Sequence, residues 1–117
     1  MYQGSTPSKE ERPWGNFITF VKNAPLTVKL LTVLPQQAFS LQRHHHRDEQ
    51  WHIISGNGTV TVGDVRSPVV PGADWYIPRE TLHRLEALSD AIVVLELSFG
   101  LFDEEDIIRV EDRYGRH

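Results

Sequence analysis

A chain of 117 residues with 39% hydrophobic and 24% charged side chains is long enough for one globular domain but not for two. A formal net charge of −4 without a basic stripe argues against a nucleic-acid partner, and the lack of an apolar run of about 18 residues argues against a membrane span. The absence of cysteine excludes disulfides and thiolate metal ligands, and an N-terminus without an apolar signal core leads us to expect a cytoplasmic protein.

Short strands account for most of the predicted elements. Residues 1–11 are polar, so we expect a flexible lead-in ahead of a single domain over residues 12–117. Asn57-Gly58 is a strong signal for a hairpin turn between two strands. Apolar and β-branched runs bounded by Gly and Pro predict strands, the last of them buried and central, over residues 17–21, 26–34, 39–46, 51–55, 59–62, 66–70, 75–78, 83–86 and 91–99.

The pattern changes after Asp103. Ile107, Val110 and Tyr114 recur at helical spacing, and Asp103 is a suitable N-cap followed by acidic residues. We therefore expect a short C-terminal helix behind an otherwise all-β chain. Eight or more short strands at even spacing indicate an antiparallel sandwich or barrel, and a double-sheet jelly roll would place strand-borne ligands in the barrel mouth.

Three consecutive histidines, at positions 44–46, are the clearest chemical signal in the chain. In an extended strand His44 and His46 share a face about 7 Å apart, close enough to bind one metal ion. A turn would bring Glu49 back to the same ion, His83 would complete the site, and Gln42 could add an oxygen. A solvated surface run or a tag remnant is the alternative, and the mid-chain position between strand-like segments disfavours it.

Nine of the 12 basic residues are arginines. Arg43, Arg47, Arg79 and Arg84 flank the histidines, and arginine is suited to bidentate binding of phosphate or carboxylate. Surface arginines paired with nearby acids are the alternative explanation for part of this group.

Two segments resemble the paired motifs of the cupin superfamily. They are His44-x-His46-x2-Glu49-x6-Gly56 and Gly72-x5-Pro78-x4-His83. More narrowly, the chain resembles the C-terminal cupin domain of type II mannose-6-phosphate isomerases, which is usually fused to a mannose-1-phosphate guanylyltransferase domain. Further matching segments are residues 12–15, 40–47, 77–78, 83–86, 105–109 and 112–116, and the departures from the family pattern are Gln36, Gln50 and Ala87.

The resemblance implies a cupin double-stranded β-helix, or jelly-roll barrel, and interconversion of mannose 6-phosphate and fructose 6-phosphate in polysaccharide biosynthesis. It implies one divalent metal, zinc being favoured over Mn, Co, Ni or Fe, and a small sugar phosphate as partner. Arg47 would stabilise the phosphate or the enediolate, Arg84 would bind substrate, and Lys29 and Glu86 would be further catalytic candidates. The implied metal ligands are His44, His46, Glu49 and His83.

Other functions remain open at this stage. A solitary metal-binding cupin could be a different sugar isomerase or an oxygenase, and a non-catalytic cupin could bind a sugar or an anion, because a fold alone does not determine a function. Small cupins commonly pair through sheet edges, and an exposed edge strand invites such pairing. We therefore expect a homodimer.

Overall fold

Residues 7–116 are described by the computed structural model, and within that range the chain forms eleven β-strands and no helix. None of these residues belongs to a helix long and apolar enough to cross a membrane. The strands are β1 Ser8–Arg12, β2 Gly15–Thr19, β3 Thr27–Val33, β4 Leu41–Arg43, β5 Arg47–Ser55, β6 Gly58–Val62, β7 Val65–Pro68, β8 Asp74–Ile77, β9 His83–Ala87, β10 Ile92–Gly100 and β11 Ile108–Glu111.

Two antiparallel sheets form the body of the fold. One contains four strands in the order β3-β10-β5-β8, and the other contains five in the order β11-β4-β9-β6-β7. The strand order crosses repeatedly between distant parts of the chain, as in a jelly roll. The predicted all-β cupin barrel is therefore confirmed, and β10, the predicted central strand, pairs with both β3 and β5.

The core lies between the two sheets and follows the alternation of each strand. In β9, His83, Leu85 and Ala87 are buried while the two residues between them are partly exposed. Trp51 and Ile53 enter the same core from β5. Each fully buried apolar side chain of this size contributes about 1.5–3 kcal/mol, so this packing fixes the distance between the sheets and with it the site between them.

The predicted C-terminal helix is wrong. Ile108–Glu111 form β11, which pairs with β4 at the edge of the five-stranded sheet. The acidic segment before it forms only a local turn, in which the backbone N–H of Glu105 donates to Asp103 Oδ1 over 2.9 Å. An isolated helix of fewer than about 12 residues is marginal in water, whereas the free edge of β4 offers a full set of backbone partners.

The N-terminal segment begins pairing earlier than the polar composition suggests. Ser8–Arg12, which the sequence places largely in a flexible lead-in, form β1 and pair with β2. The turn between these strands is the dipeptide Pro13-Trp14, and two-residue connections are the tightest hairpin loops. This hairpin belongs to neither sheet of the body. The first six residues of the predicted lead-in lie outside the described part of the chain.

The segment Asn57-Gly58 connects two sheets instead of closing a hairpin. It is flanked by strands as predicted, but β5 and β6 belong to different sheets. The Asn57 side chain donates to Ser89 Oγ and accepts from the backbone N–H of Asp90, so it anchors the crossover to the loop before β10. Tertiary anchoring therefore overrides the local turn preference.

Two turn positions explain the glycine pattern around the first motif. Gly56 has φ +114°, and a Cβ there would collide with the backbone of Ala91 and Ile92, so the motif glycine lets β5 end against the start of β10. Gln36 stands where the resembled family has glycine, and its φ is 64°, in the left-handed region that favours glycine. Gln36 therefore adopts a backbone conformation that glycine reaches more readily.

Candidate metal centre

Three buried side chains converge between the two sheets. His44 follows β4, Glu49 lies in β5, and His83 begins β9; they are 3%, 1% and 1% exposed. One ligand atom from each lies within 4.8 Å of the other two. Glu49 Oε2 is 3.7 Å from His44 Nε2, and Glu49 Oε1 is 3.3 Å from His83 Nε2. The centre therefore joins both sheets of the barrel.

Both imidazoles are held in the tautomer that a metal requires. His44 Nδ1 donates to the carbonyl of Asp106 over 2.6 Å, and His83 Nδ1 donates to the carbonyl of Thr81 over 2.9 Å. A neutral imidazole protonated at Nδ1 carries its lone pair on Nε2, and metal-ligating histidines are oriented by such bonds. The Nε2 lone pairs of both rings are therefore directed toward the Glu49 side, where that of His83 has no hydrogen-bond partner and that of His44 lies 3.2 Å from Arg47 Nη2.

Two atoms of the cluster are buried without a hydrogen-bond partner, which indicates a metal-binding site at the same place. They are Glu49 Oε1 and His83 Nε2, which face each other without hydrogen-bond geometry. Leaving such groups unsatisfied in a protein interior costs about 1–3 kcal/mol each. Imidazole nitrogen and carboxylate oxygen suit Zn(II), Mn(II), Fe(II), Co(II) or Ni(II), so these residues fit a divalent metal.

The surroundings of the cluster favour the metal-binding protonation states of His44 and Glu49. Burial lowers the pKa of His44, which keeps its imidazole neutral. Burial by itself raises the pKa of Glu49, but His83, His44 and Arg47 together outweigh it, and the resulting pKa lies below the ordinary glutamate value. Glu49 is therefore an anion at neutral pH.

Arg47 lies directly on this cluster. Its Nε donates to Glu49 Oε2 over 3.0 Å, and its Nη2 is 3.2 Å from His44 Nε2. The guanidinium also lies over the Phe102 ring, 4.4 Å from the centroid. Because β5 starts at Arg47, this residue shares the inner face of the strand with Glu49. In an unbroken strand the alternation would direct Arg47 to the face opposite His44, but the bend before β5 turns it inward.

His46 lies away from the cluster. The alternation expected for an extended strand stops at Arg43, where β4 ends, and residues 44–46 form a bend. The Asp106 carboxylate fixes this bend by accepting the backbone N–H groups of His45 and His46. His46 is exposed as a result, and within residues 7–116 the converging group consists of His44, Glu49 and His83 alone.

Gln42, and not His46, lies next to His44 at the cluster. It pairs with His83 across β4 and β9, and its Nε2 lies 3.5 Å from His44 Nε2. The spacing that the fold brings together is therefore Gln42-x-His44-x4-Glu49. Gln42 thus lies beside the proposed ligands as expected, but its Oε1, the expected oxygen ligand, accepts a 2.6 Å hydrogen bond from Ser40 Oγ.

Arg84 and Glu86 lie on the opposite face of β9 from His83. Arg84 donates to the carbonyls of Phe39 and Glu111. Glu86 pairs with arginines 66 and 113 at the surface. The structure thus separates both residues from the cluster, and they do not belong to the candidate site.

Lys29 reaches the rim of the centre from β3. Its Nζ is 2.7 Å from Glu104 Oε1 and 4.3 Å from the centroid of Phe102, the ring that also contacts Arg47. Two predicted cations therefore meet on one aromatic side chain.

Sequence reasoning missed two polar residues in the site region. Glu96 and Ser98 are buried in β10, a strand interpreted from its composition as apolar. Glu96 Oε2 accepts a 3.1 Å hydrogen bond from Trp51 Nε1, and Ser98 Oγ is buried without a partner. An acid within an otherwise apolar central strand is the signal that could have identified the first of them.

Comparison with known proteins identifies one family that matches nearly the whole chain. Residues 3–112 match the family model described as the C-terminal region of mannose-6-phosphate isomerase. A mannose-1-phosphate guanylyltransferase from Klebsiella pneumoniae is 40% identical over 107 residues, covering 90% of this chain and 23% of the relative. The alginate biosynthesis protein AlgA of Pseudomonas aeruginosa is 37% identical over 107 residues, covering 90% and 22%.

The fold is also found among solved structures. A cupin 2 conserved barrel domain protein from Rhodopseudomonas palustris superimposes with a TM-score of 0.63 at 25% identity, covering 75% of this chain and 66% of that one. The chain spans about a quarter of the length of the curated relatives that it matches.

Proposed function

Because the chain belongs to the mannose-6-phosphate isomerase C-terminal family, we propose that it is a metal-dependent isomerase acting on mannose 6-phosphate and fructose 6-phosphate. The observation that carries this proposal is the pair of Nδ1-protonated imidazoles whose Nε2 lone pairs lie beside the Glu49 carboxylate. The relatives' names, a guanylyltransferase for mannose 1-phosphate and an alginate biosynthesis protein, support a role in supplying mannose phosphates for polysaccharide synthesis.

The proposed metal ligands are His44, Glu49 and His83, with Gln42 beside them. A divalent ion bound there, zinc in the first instance, would act as a Lewis acid on the sugar carbonyl and the adjacent hydroxyl. Three protein ligands leave positions open for the substrate, which is typical of catalytic and not of structural zinc sites.

The two cations that contact Phe102 have different proposed roles. Arg47 touches the ligand atoms themselves, so it would stabilise negative charge that develops on the substrate oxygens during isomerisation. Lys29 lies farther out beside exposed Glu104, so it would bind the phosphate.

An oxygenase is the second candidate function. Two histidines and one carboxylate are also the ligand set of non-haem Fe(II) oxygenases. Loading the protein with Fe(II) under anaerobic conditions and measuring oxygen uptake with candidate substrates distinguishes this chemistry from isomerisation, which consumes no oxygen.

A coupled assay for fructose 6-phosphate formation tests the isomerase proposal. We expect turnover of mannose 6-phosphate with at least one of Zn, Mn, Co and Ni, loss of activity with a chelator, and recovery on adding the metal back. Free mannose should be a far poorer substrate, because it lacks the phosphate. Absence of turnover with all four metals would contradict the proposal.

A further inference from the structure

The inner face of the four-stranded sheet carries polar side chains that extend the metal centre. In the β10–β5 pair, Glu96 lies opposite Trp51 and Ser98 lies opposite Glu49, while in the β10–β3 pair Glu96 lies opposite Lys29. Directly opposed residues of an antiparallel pair lie on the same face, with Cβ atoms about 4.5–5.5 Å apart. Glu96, Ser98 and Glu49 therefore line one surface inside the barrel.

Glu96 is set firmly into this surface. It is 6% exposed, and its Oε2 accepts the indole N–H of Trp51. The Trp51 ring in turn packs edge-on against His83, with 5.5 Å between centroids. One hydrogen bond and one aromatic contact thus connect the carboxylate to a metal-ligand side chain.

Charged neighbours approach Glu96 from both adjacent strands. Lys29 faces it from β3, and Arg47 and Glu49 act on it from β5. Burial raises the pKa of Glu96 to about 7, with a further contribution from Glu49, while Trp51 and the two cations oppose the increase. Burial, the largest cause, does not depend on Glu49, and a buried carboxyl with a raised pKa suits general acid–base catalysis.

Each of the other buried carboxylates already has a partner or a role. Within residues 7–116 these are Asp48, Glu49 and Asp106. The Asp48 side chain lies on the face of β5 opposite to Glu49, where its Oδ1 accepts a hydrogen bond from the backbone N–H of Arg79. Asp106 binds the amides of the bend, and Glu49 is a proposed metal ligand.

We propose that Glu96 is the acid–base residue that carries the proton between C1 and C2 of the sugar phosphate. This inference rests on the isomerase function proposed above. Ser98, two residues along β10 on the same face as Glu96, has a buried hydroxyl without a hydrogen-bond partner, so an unsatisfied polar group lies beside Glu96 and opposite Glu49.

The proton transfer balances without any further reagent. The Glu96 carboxylate removes the C2 proton of the open-chain aldose, the C2–H electron pair forms the C1=C2 bond, and the carbonyl π pair moves to O1. The hydroxyl proton then passes from O2 to O1. The O2 electron pair forms the ketose carbonyl, and C1 takes the proton from Glu96, which returns to its carboxylate form.

The test compares Glu96→Gln with wild type under the same metal loading. Glutamine keeps the size of the side chain and an oxygen for the Trp51 N–H, so we expect unchanged metal content and a KM within a few-fold of wild type. Turnover should decrease by about 10²–10⁴-fold, the range for loss of a general acid–base group. Glu96→Asp should recover part of this loss, and the exposed Glu111→Gln should match wild type.

A second measurement uses wild-type protein alone and so does not depend on how a variant folds. In D2O, a proton held on the Glu96 carboxyl exchanges with solvent in a fraction of turnovers, so repeated forward and reverse turnover should introduce deuterium into the sugar at C1 or C2, whereas a direct hydride shift introduces none. Complete absence of label after many turnovers, Glu96→Gln activity above a tenth of wild type, or loss of metal from that variant overturns the role of Glu96 and leaves an active isomerase in place. A wild type without isomerase activity overturns the proposed function and this role together.

Discussion

The imidazole rings of His44 and His83 lie 5.0 Å apart between their centroids, and each donates its Nδ1 proton to a backbone carbonyl. His44 follows β4 and His83 begins β9, yet the two rings expose the same nitrogen beside Glu49. This relationship is set by backbone groups of Asp106 and Thr81. Loop segments outside the strands therefore determine the orientation of the metal ligands.

Asp106 should be needed for metal affinity although it is not a ligand. Its carboxylate accepts two amides of the 44–46 bend, and its carbonyl fixes His44. We expect Asp106→Ala to destabilise the fold by about 1–3 kcal/mol, because it leaves amides unpaired, and to weaken metal binding by about 10–100-fold. Urea unfolding and metal titration measure the two effects, and unchanged metal affinity would show that the bend does not orient His44.

Arg47→Ala and Lys29→Ala should have different kinetic effects. Arg47 contacts the ligand atoms and should act mainly in the transition state, so its loss should lower kcat. Lys29 lies at the rim and should act mainly in binding, so its loss should raise KM for the sugar phosphate by about tenfold. Steady-state kinetics separates the two, and a pure KM effect for Arg47→Ala would make Arg47 a phosphate anchor instead.

Glu96 should make the metal-free protein less stable at high pH. Because its pKa in the folded state, about 7, exceeds the ordinary value of 4.5, the folded state binds the proton more tightly than the unfolded state. The free energy of unfolding should therefore fall by about 3 kcal/mol as the pH rises from 4.5 through 7. Glu96→Gln should lack this decrease. Urea unfolding of both proteins at pH 5 and pH 8 measures this decrease. An equal change in the free energy of unfolding between the two pH values for wild type and Glu96→Gln would contradict a buried Glu96 with a raised pKa.

We propose that the protein is a homodimer. The β1–β2 hairpin exposes Trp14 (73%), Phe17 and Ile18, and it belongs to neither sheet of the body. Strand β3 is an edge strand with exposed Val28 and Leu30 on its outer face. Because free sheet edges and apolar patches favour association, a second copy should cover these surfaces. Light scattering should give twice the chain mass, and Phe17→Glu should shift it toward the monomer; a wild-type monomer would contradict the dimer.

Much of the fold could be predicted because the strands obey local patterning. The alternation in β9 places His83 inside, and the apolar run of β10 correctly predicts a central strand. The C-terminal segment was misassigned because its helical spacing is local, whereas its pairing with β4 depends on a distant edge. Sequence spacing alone cannot show which free edge a segment will meet.

The sequence predicted the types of residue in the candidate site, but it did not predict which histidines of the 44–46 run reach it. His44, Glu49 and His83 follow from the motif spacing, but the exclusion of His46 depends on Asp106, which lies 60 residues later in the chain. Gln50, a departure from the family pattern, lies on the face of β5 opposite to Glu49 and is paired with Tyr76 in the neighbouring strand. Its side chain therefore does not face the cluster, and the departure leaves the three proposed ligands intact.

Metal stoichiometry of matched histidine variants tests the central claim most directly. Purified wild type, His44→Ala and His46→Ala would be loaded with zinc, passed through a desalting column and measured by elemental analysis. The account predicts one ion per chain for wild type and for His46→Ala, because His46 is exposed and outside the cluster, and loss of the ion from His44→Ala. A fully loaded His44→Ala, or a His46→Ala that loses its metal, would contradict the proposed centre.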